Sequence, residues 1–454
     1  MAQSSNHNIE SQLVRRLINV GQSQTVGGLL FSNQRDADGN NTSPLYKQYA
    51  HMGRCSNVIK QTDGKLMTVQ HCKCKACVQC NRLRTAELMR TYLPRLRQEV
   101  GQLYFVTLTR RNVYVDDLET EIQTYYDKWR GLMQDSFIRK RLNPEKEIER
   151  LQNKIKGYQD KIRYWSDHLM SDNGAFIPAS KRDYQIRKYQ SKIQEVEAEL
   201  AEWGSRAPLI GLRKLEVTYH HQEFLEVKNR QGKFIKYILD ENGNQIPDPW
   251  YNSYHPHFHL VVNSKEVADW LVAQWLKENE GFAEPQSQKI IKCKNDYFSK
   301  ELFKYFTKIT AFTAKGRWIF INPLDMILRA EAGKRIFQRF GSNESWRCEE
   351  VDEDQIKDEA LAISDTTDDR YEFVDDGSSW MYVSPDTGNV LVSVKKRGKI
   401  FSMLEELEKE HPIDHEAFEQ LKQEEYYEYS PPRYNPMPDM AAIRKRRLRE
   451  AEAS

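Results

Sequence analysis

The sequence predicts an α+β protein, an antiparallel sheet backed by helices, on three observations. Short β-prone segments alternate in polarity: YFVTLT (Tyr104 to Thr109), RKLEVTYH (Arg213 to His220) and YHPHFHLVV (Tyr254 to Val262). Between and around them run longer segments with apolar residues every three or four positions, the helical period. Five of the seven cysteines crowd between Cys55 and Cys80, which in a reducing compartment reads as metal ligation before disulfides.

The chain has 454 residues, enough for two or three structural units. Its formal net charge of +2 hides a segregation. Glu349 to Asp376 holds thirteen acids against Lys357 and Arg370, so the remainder is basic, as suits a protein that holds phosphates. No stretch approaches the roughly 18 apolar residues of a membrane helix, and the polar first thirty residues carry no export-signal pattern. The expectation is a cytoplasmic protein with no membrane partner.

Along the chain, residues 1–50 are rich in Asn, Gln and Ser and read as a flexible polar arm. Residues 51–100 read as a cysteine-rich module followed by a basic, arginine-rich helix, and Tyr125 to Arg139 as another helix. Asn143, Pro144 and Glu145 make a helix start: a cap, a proline at the first position and an early acid. From there Ile148, Leu151, Ile155, Tyr158, Ile162, Trp165 and Leu169 recur in steps of three and four. After SDNGAFIPAS the rhythm resumes through Ile186, Tyr189, Ile193, Val196, Leu200 and Trp203. Residues 143–205 are therefore expected to form an antiparallel coiled-coil hairpin, a spacer or a means of self-association. Val267 to Leu276 reads as a helix, IIKC as a short strand and Asp296 to Lys308 as a helix; residues 346–454 read as a mobile acidic segment and a basic tail.

The chemistry concentrates in three places. On a strand, His255, His257 and His259 share one face and Phe258 and Leu260 the other. Two imidazoles one pleat apart can hold one ion. Glu216, a carboxylate inside an apolar strand, becomes a third ligand if its strand pairs beside the histidines; otherwise His255 takes that place. Two histidines and a carboxylate suit Mg²⁺ or Mn²⁺ acting on a phosphate. In ELFKYFTK, Glu301 and Tyr305 lie one helical turn apart beside Lys300, Lys304 and Lys308. A phenol attacks phosphorus only where cations favour its anion, which Lys308 can supply. Finally, Cys77 and Cys80 form a CxxC zinc half-site, with Cys55, Cys72 and Cys74 competing for the other half.

YFVTLT, RKLEVTY followed by NSYHPHFHLVV, and ELFKYFTK resemble, in order, the three motifs of plasmid rolling-circle replication initiators of the HUH endonuclease superfamily. The resemblance extends to the cysteines and spans roughly residues 50–320, broken by the hairpin, which looks like an insertion. It implies an HUH-type nuclease domain over 101–142 and 206–345, with His257 and His259 on a catalytic metal and Tyr305 as the nucleophile. Attack would leave a 5′-phosphotyrosine and a free 3′-hydroxyl, and Glu301 would help water end the cycle. It favours Cys55 and Cys72 as the remaining ligands of a structural Zn²⁺. The implied partners are origin DNA, gripped by Arg82, Arg84 and Lys304, and a host helicase and polymerase. Initiators of single-stranded DNA phages resemble this pattern too, but many carry two tyrosines one turn apart, whereas Tyr297 stands eight residues from Tyr305. A relaxase or transposase would use the same chemistry, and a non-catalytic zinc-finger regulator would explain only the cysteines and the charge.

Overall fold

The computed structural model describes residues 2–62, 65–68, 70–170, 175–229, 234–295, 298–303, 311–313, 316–341, 361–362 and 368–423. They build a mixed α+β molecule around two large hydrophobic cores and a small third one between α6 and α7. Twelve helices lie in the described residues: α1 (Ala2–Asn33), α2 (Tyr46–Met52), α3 (Val78–Gln98), α4 (Leu118–Gln134), α5 (Ser136–Leu142), α6 (Pro144–Asp167), α7 (Ala179–Ser205), α8 (Lys265–Glu278), α9 (Phe298–Leu302), α10 (Ile321–Ala330), α11 (Lys399–Glu410) and α12 (His415–Gln423). Among these residues no helix is long and apolar enough to cross a membrane.

The first core is built on a curled antiparallel sheet of five strands. They are β3 (Tyr104–Thr109), β4 (Ile210–His220), β7 (Ser253–Val262), β8 (Lys289–Lys292) and β11 (Phe337–Gly341), in the order β11-β4-β7-β3-β8. The three segments read as strands in the sequence lie side by side at its centre, β7 flanked by β4 and β3. Alternation divides its side chains between two layers. Phe258, on one face, meets Tyr125 and Trp129 of α4 and Trp275 of α8. On the histidine face Phe337, paired with Lys214, stacks on Tyr92 of α3 and on Phe303 just beyond α9. Between β4 and β7 the chain makes an excursion containing β5 (Glu226–Lys228) and β6 (Phe234–Tyr237).

The second core unites the two ends of the chain. Strands β1 (Val58–Thr62), β2 (Lys65–Thr68), β12 (Leu361–Ala362), β13 (Arg370–Asp375), β14 (Ser379–Val383) and β15 (Val390–Lys395) form a sheet in the order β12-β2-β1-β13-β14-β15. A further hairpin, β9 (Ala311–Thr313) with β10 (Gly316–Trp318), leads into α10. Residues 2–33, expected as a flexible arm, are instead one helix whose Leu13, Leu17, Val20, Leu29 and Leu30 are buried. The segment after 345 also departs from expectation. Tyr371, Trp380 and Tyr382 are buried against α1 and the cysteine region, and the Tyr382 hydroxyl donates to the Ser56 carbonyl at 2.7 Å. The basic tail and most of the acidic segment lie outside the described residues.

The expected hairpin is a pair of antiparallel helices. α6 begins at Pro144 after Asn143, and it packs on α7 through Leu151, Val196 and Trp203. Tyr158 faces Tyr189 at 5.9 Å between ring centroids, and Arg150 approaches Glu199 at 3.8 Å. The helix expected over Tyr125 to Arg139 is broken in two at Asp135, which is extended and accepts from the Phe137 N–H at 2.7 Å.

The close seat of α1 on the C-terminal strands makes a sharp prediction. A Cβ on Gly21 would lie 2.3 Å from Cε3 of Trp380. Gly21→Ala should therefore lower stability by about 1–3 kcal/mol through overpacking, outweighing the roughly 1 kcal/mol a helical Gly→Ala exchange otherwise gains. Urea unfolding measures the sign; stabilisation would contradict the packing of α1 on β14.

Candidate functional site

Among the described residues, two groups of side chains converge in geometries able to hold a metal ion: Glu216, His257 and His259, and Cys55, Cys72, Cys77 and Cys80. The first is a product of sheet register. β4 and β7 pair with Glu216 opposite His257 and Lys214 opposite His259, so all four side chains share one face. The Glu216 carboxylate lies 3.9 Å from Nε2 of His257 and 3.7 Å from Nε2 of His259. The two Nε2 atoms stand 3.0 Å apart. That spacing is close to the ~3.0 Å between neighbouring corners of an octahedron with ~2.1 Å bonds, so the donor set fits a divalent ion.

The imidazoles are held from behind. Nδ1 of His257 donates to the His255 carbonyl at 3.2 Å, which leaves Nε2 unprotonated and directed at the other ligands. Nδ1 of His259 lies 3.4 Å from the Thr107 hydroxyl on β3. Lys214, unremarked in the sequence, is 1% exposed, and its Nζ donates to Glu216 Oε2 at 3.1 Å. The buried carboxylate thus has a compensating charge and a fixed orientation. His255 lies one pleat further along, bonded to the Thr109 hydroxyl, and the ligand group forms without it. Burial first, then the neighbouring His259, pushes His257 down to about 4; burial and then His257 push His255 to about 4. At neutral pH both rings are uncharged, the state in which imidazole binds metal.

The cysteine group brings Cys55, just after α2, to Cys72 and Cys77 on the loop into α3 and Cys80 in its first turn. Cys55 Sγ lies 3.4 Å from Cys80 and 3.5 Å from Cys77, and Cys72 lies 3.7 Å from Cys80. These spacings exceed a disulfide bond and approach the ~3.8 Å edge of a tetrahedron with ~2.3 Å metal–sulfur bonds. A four-thiolate site compatible with zinc results. Cys77 also caps α3, its sulfur accepting from the Cys80 N–H at 3.4 Å. Cys74, the competing thiol, is buried outside the group, and burial pushes it up to about 12.

Arg84, expected to grip DNA, is 5% exposed and ties down the cysteine loop, donating to the Cys74 carbonyl at 3.3 Å and to the Lys73 carbonyl. Arg82 is half-buried on α3. Tyr305, Lys304 and Lys308 lie outside the described residues. Glu301 is half-buried on α9, and Phe303 beyond it stacks on Phe337 on the histidine side of the sheet.

The depressed histidine pKa values set a direction for stability with pH. Folded His255 and His257 titrate near 4 and their unfolded counterparts near 6.5. In that window the unfolded chain binds more protons, so this contribution is complete above about 6.5 and is lost as pH falls toward 4. Denaturant titrations of metal-free protein should show falling midpoints through this range, and His255→Gln with His257→Gln should flatten the fall. An unchanged slope in the double variant would contradict the burial of these rings.

Comparison of the chain with protein-family models, with curated proteins and with solved structures finds no match in any of the three, so the geometry of the two ligand groups carries the functional reading.

Proposed function

We propose that the chain is a rolling-circle replication initiator, a DNA nickase of the HUH type in which Tyr305 becomes joined to the strand it cuts. The observation that carries this reading is the meeting of Glu216, His257 and His259 on one sheet face. A non-catalytic regulator has no use for such a group. The position of α9 on the same side supports it further, because Tyr305 follows shortly after in the chain.

In this reading His257, His259 and Glu216 hold Mg²⁺ or Mn²⁺, which supplies Lewis-acid polarisation of the scissile phosphate. The Tyr305 oxygen attacks phosphorus, the bond to the 3′ oxygen breaks, and that oxygen leaves with a proton as a free 3′-hydroxyl for the host polymerase. Lys308 favours the phenolate, and Lys304 contacts the DNA backbone. A second transesterification or a hydrolysis ends the cycle. In the hydrolysis Glu301 takes a proton from water as the new oxygen–phosphorus bond forms and the tyrosyl bond breaks. Cys55, Cys72, Cys77 and Cys80 hold a structural Zn²⁺, since thiolates occupy all four positions. Origin DNA is the substrate, a host helicase opens the duplex, and the α6–α7 pair is a coiled-coil insertion in the nuclease domain. The setting is the cytoplasm.

The test uses supercoiled plasmid carrying the gene for this chain with its flanking DNA, incubated with Mn²⁺. Wild type should nick it and leave a protein–DNA adduct resistant to denaturant, and Tyr305→Phe should abolish both. Glu301→Gln should still nick yet release unit circles between two origins ~10²-fold or more slowly, the scale of a lost general base. An adduct formed by Tyr305→Phe would overturn the nucleophile, and wild-type release by Glu301→Gln would overturn the base.

A further inference from the structure

The α6–α7 hairpin is electrically divided along its length. Its root is acidic, with seven glutamates against Lys146, Arg150 and Arg206, and its cations are engaged: Glu147 is paired with Arg150 at 2.6 Å and Lys140 at 3.1 Å, Arg150 also reaches Glu199, and Arg206 pairs with Glu202. The distal half differs. Between Leu151 and Lys192 the sequence has nine lysines and arginines against four aspartates. Among the described residues the sole ion pair there is Arg163 with Asp160, at 3.8 Å. Lys154, Lys156, Lys161, Arg187 and Lys188 are exposed.

Within this half one cluster is built rather than scattered. The rings of Tyr158 and Tyr189, one from each helix, sit 5.9 Å apart. Lys161 Nζ lies 5.9 Å from the first ring and 5.4 Å from the second, and Lys192 Nζ lies 5.7 Å from the first. Two cations from opposite helices are thus drawn to one aromatic pair. A polyanion passing over the cluster would meet both cations at once and lessen their mutual repulsion.

We infer that the distal half of the hairpin is a duplex-DNA-binding arm that grips phosphates without reading sequence. From Leu151 to Asp167 the arm spans about 25 Å at ~1.5 Å per residue, most of one duplex turn. The paired rings of Tyr158 and Tyr189 are half-buried against each other, so the cations beside them meet phosphates rather than bases, while Tyr164, Phe176 and Tyr184 are exposed; the preference for a duplex therefore rests on the length of the arm. Its root joins β4 six residues before Glu216, ~20 Å along the strand at ~3.3 Å per residue. The choice of DNA as the polyanion rests on the nickase reading above; the arm's affinity for phosphate rests on its own charges.

The test is equilibrium binding of the full-length protein to a 30-base-pair DNA of arbitrary sequence across a salt series, with Lys161→Gln, Lys188→Gln and Lys192→Gln combined. Glutamine keeps helix propensity near that of lysine, and circular dichroism checks the fold. Removing three phosphate contacts should weaken binding and reduce the slope of log K against log salt by roughly 2–3. Glu195→Gln with Glu197→Gln, near the root, should not reduce it. An unchanged slope in the triple variant overturns the arm. So does a change in sedimentation with unchanged DNA binding, which would make the hairpin a self-association element, or a loss confined to single-stranded RNA. If the slope falls while wild type nicks no plasmid, the arm stands and the nickase reading fails.

Discussion

The pairing of β4 with β7 sets Glu216 opposite His257 and Lys214 opposite His259, and the rest of the metal-ligand face depends on it. Register in a sheet has no intermediate settings. A slip of one residue would turn Glu216 and Lys214 toward the opposite layer and set the two imidazoles against Leu215 and either Arg213 or Val217 instead of a carboxylate. The aromatic layer opposes such a slip, because Phe258 is held by Tyr125, Trp129 and Trp275 on the far side. Hydrophobic burial on one face therefore fixes ligand geometry on the other. The cost of bringing a carboxylate and two imidazoles out of water is met locally, by Lys214 and by the His255 carbonyl.

The cysteine group obeys a similar logic with different means. Four sulfurs define the loop, but the loop is seated from outside by the far end of the chain: Tyr382 holds Ser56, and β13 pairs with β1. Asp325 on α10 ties down the same region, accepting from Ser43 and Tyr49 at 2.6 Å each. Sequence-distant segments thus complete the N-terminal unit, which is why its small sheet and long helix have a common core.

What was legible in the sequence followed from local periodicity. Alternation placed the histidines on one strand face, and steps of three and four delimited the hairpin to within two residues at its start and at the opening of α7. Pairing partners were not legible, because nothing local to Arg370–Asp375 indicates that β1, more than 300 residues earlier, lies beside it. α1 was missed for a different reason: at Gly21 and Gly27 the contact is made by the absence of a side chain, so hydrophobic periodicity fades where packing is tightest. Arg84 was legible as a charge after the cysteines, but its hydrogen bonds to the loop's own carbonyls were not, because they depend on how the loop folds back on α3. Lys214 gives no signal of its own, because a lysine in a strand reads as solvent-facing, while here a carboxylate two residues along accompanies it into the interior.

The central claim, that Glu216, His257 and His259 together hold a divalent ion, is most directly tested by counting bound Mn²⁺. Electron paramagnetic resonance titration of zinc-replete protein reads free Mn²⁺ without reference to any DNA. The account predicts about one Mn²⁺ per wild-type chain, lost in His257→Ala and weakened in Glu216→Ala with the four-thiolate site still filled. Equal Mn²⁺ binding by wild type and His257→Ala, or none by wild type, would contradict it.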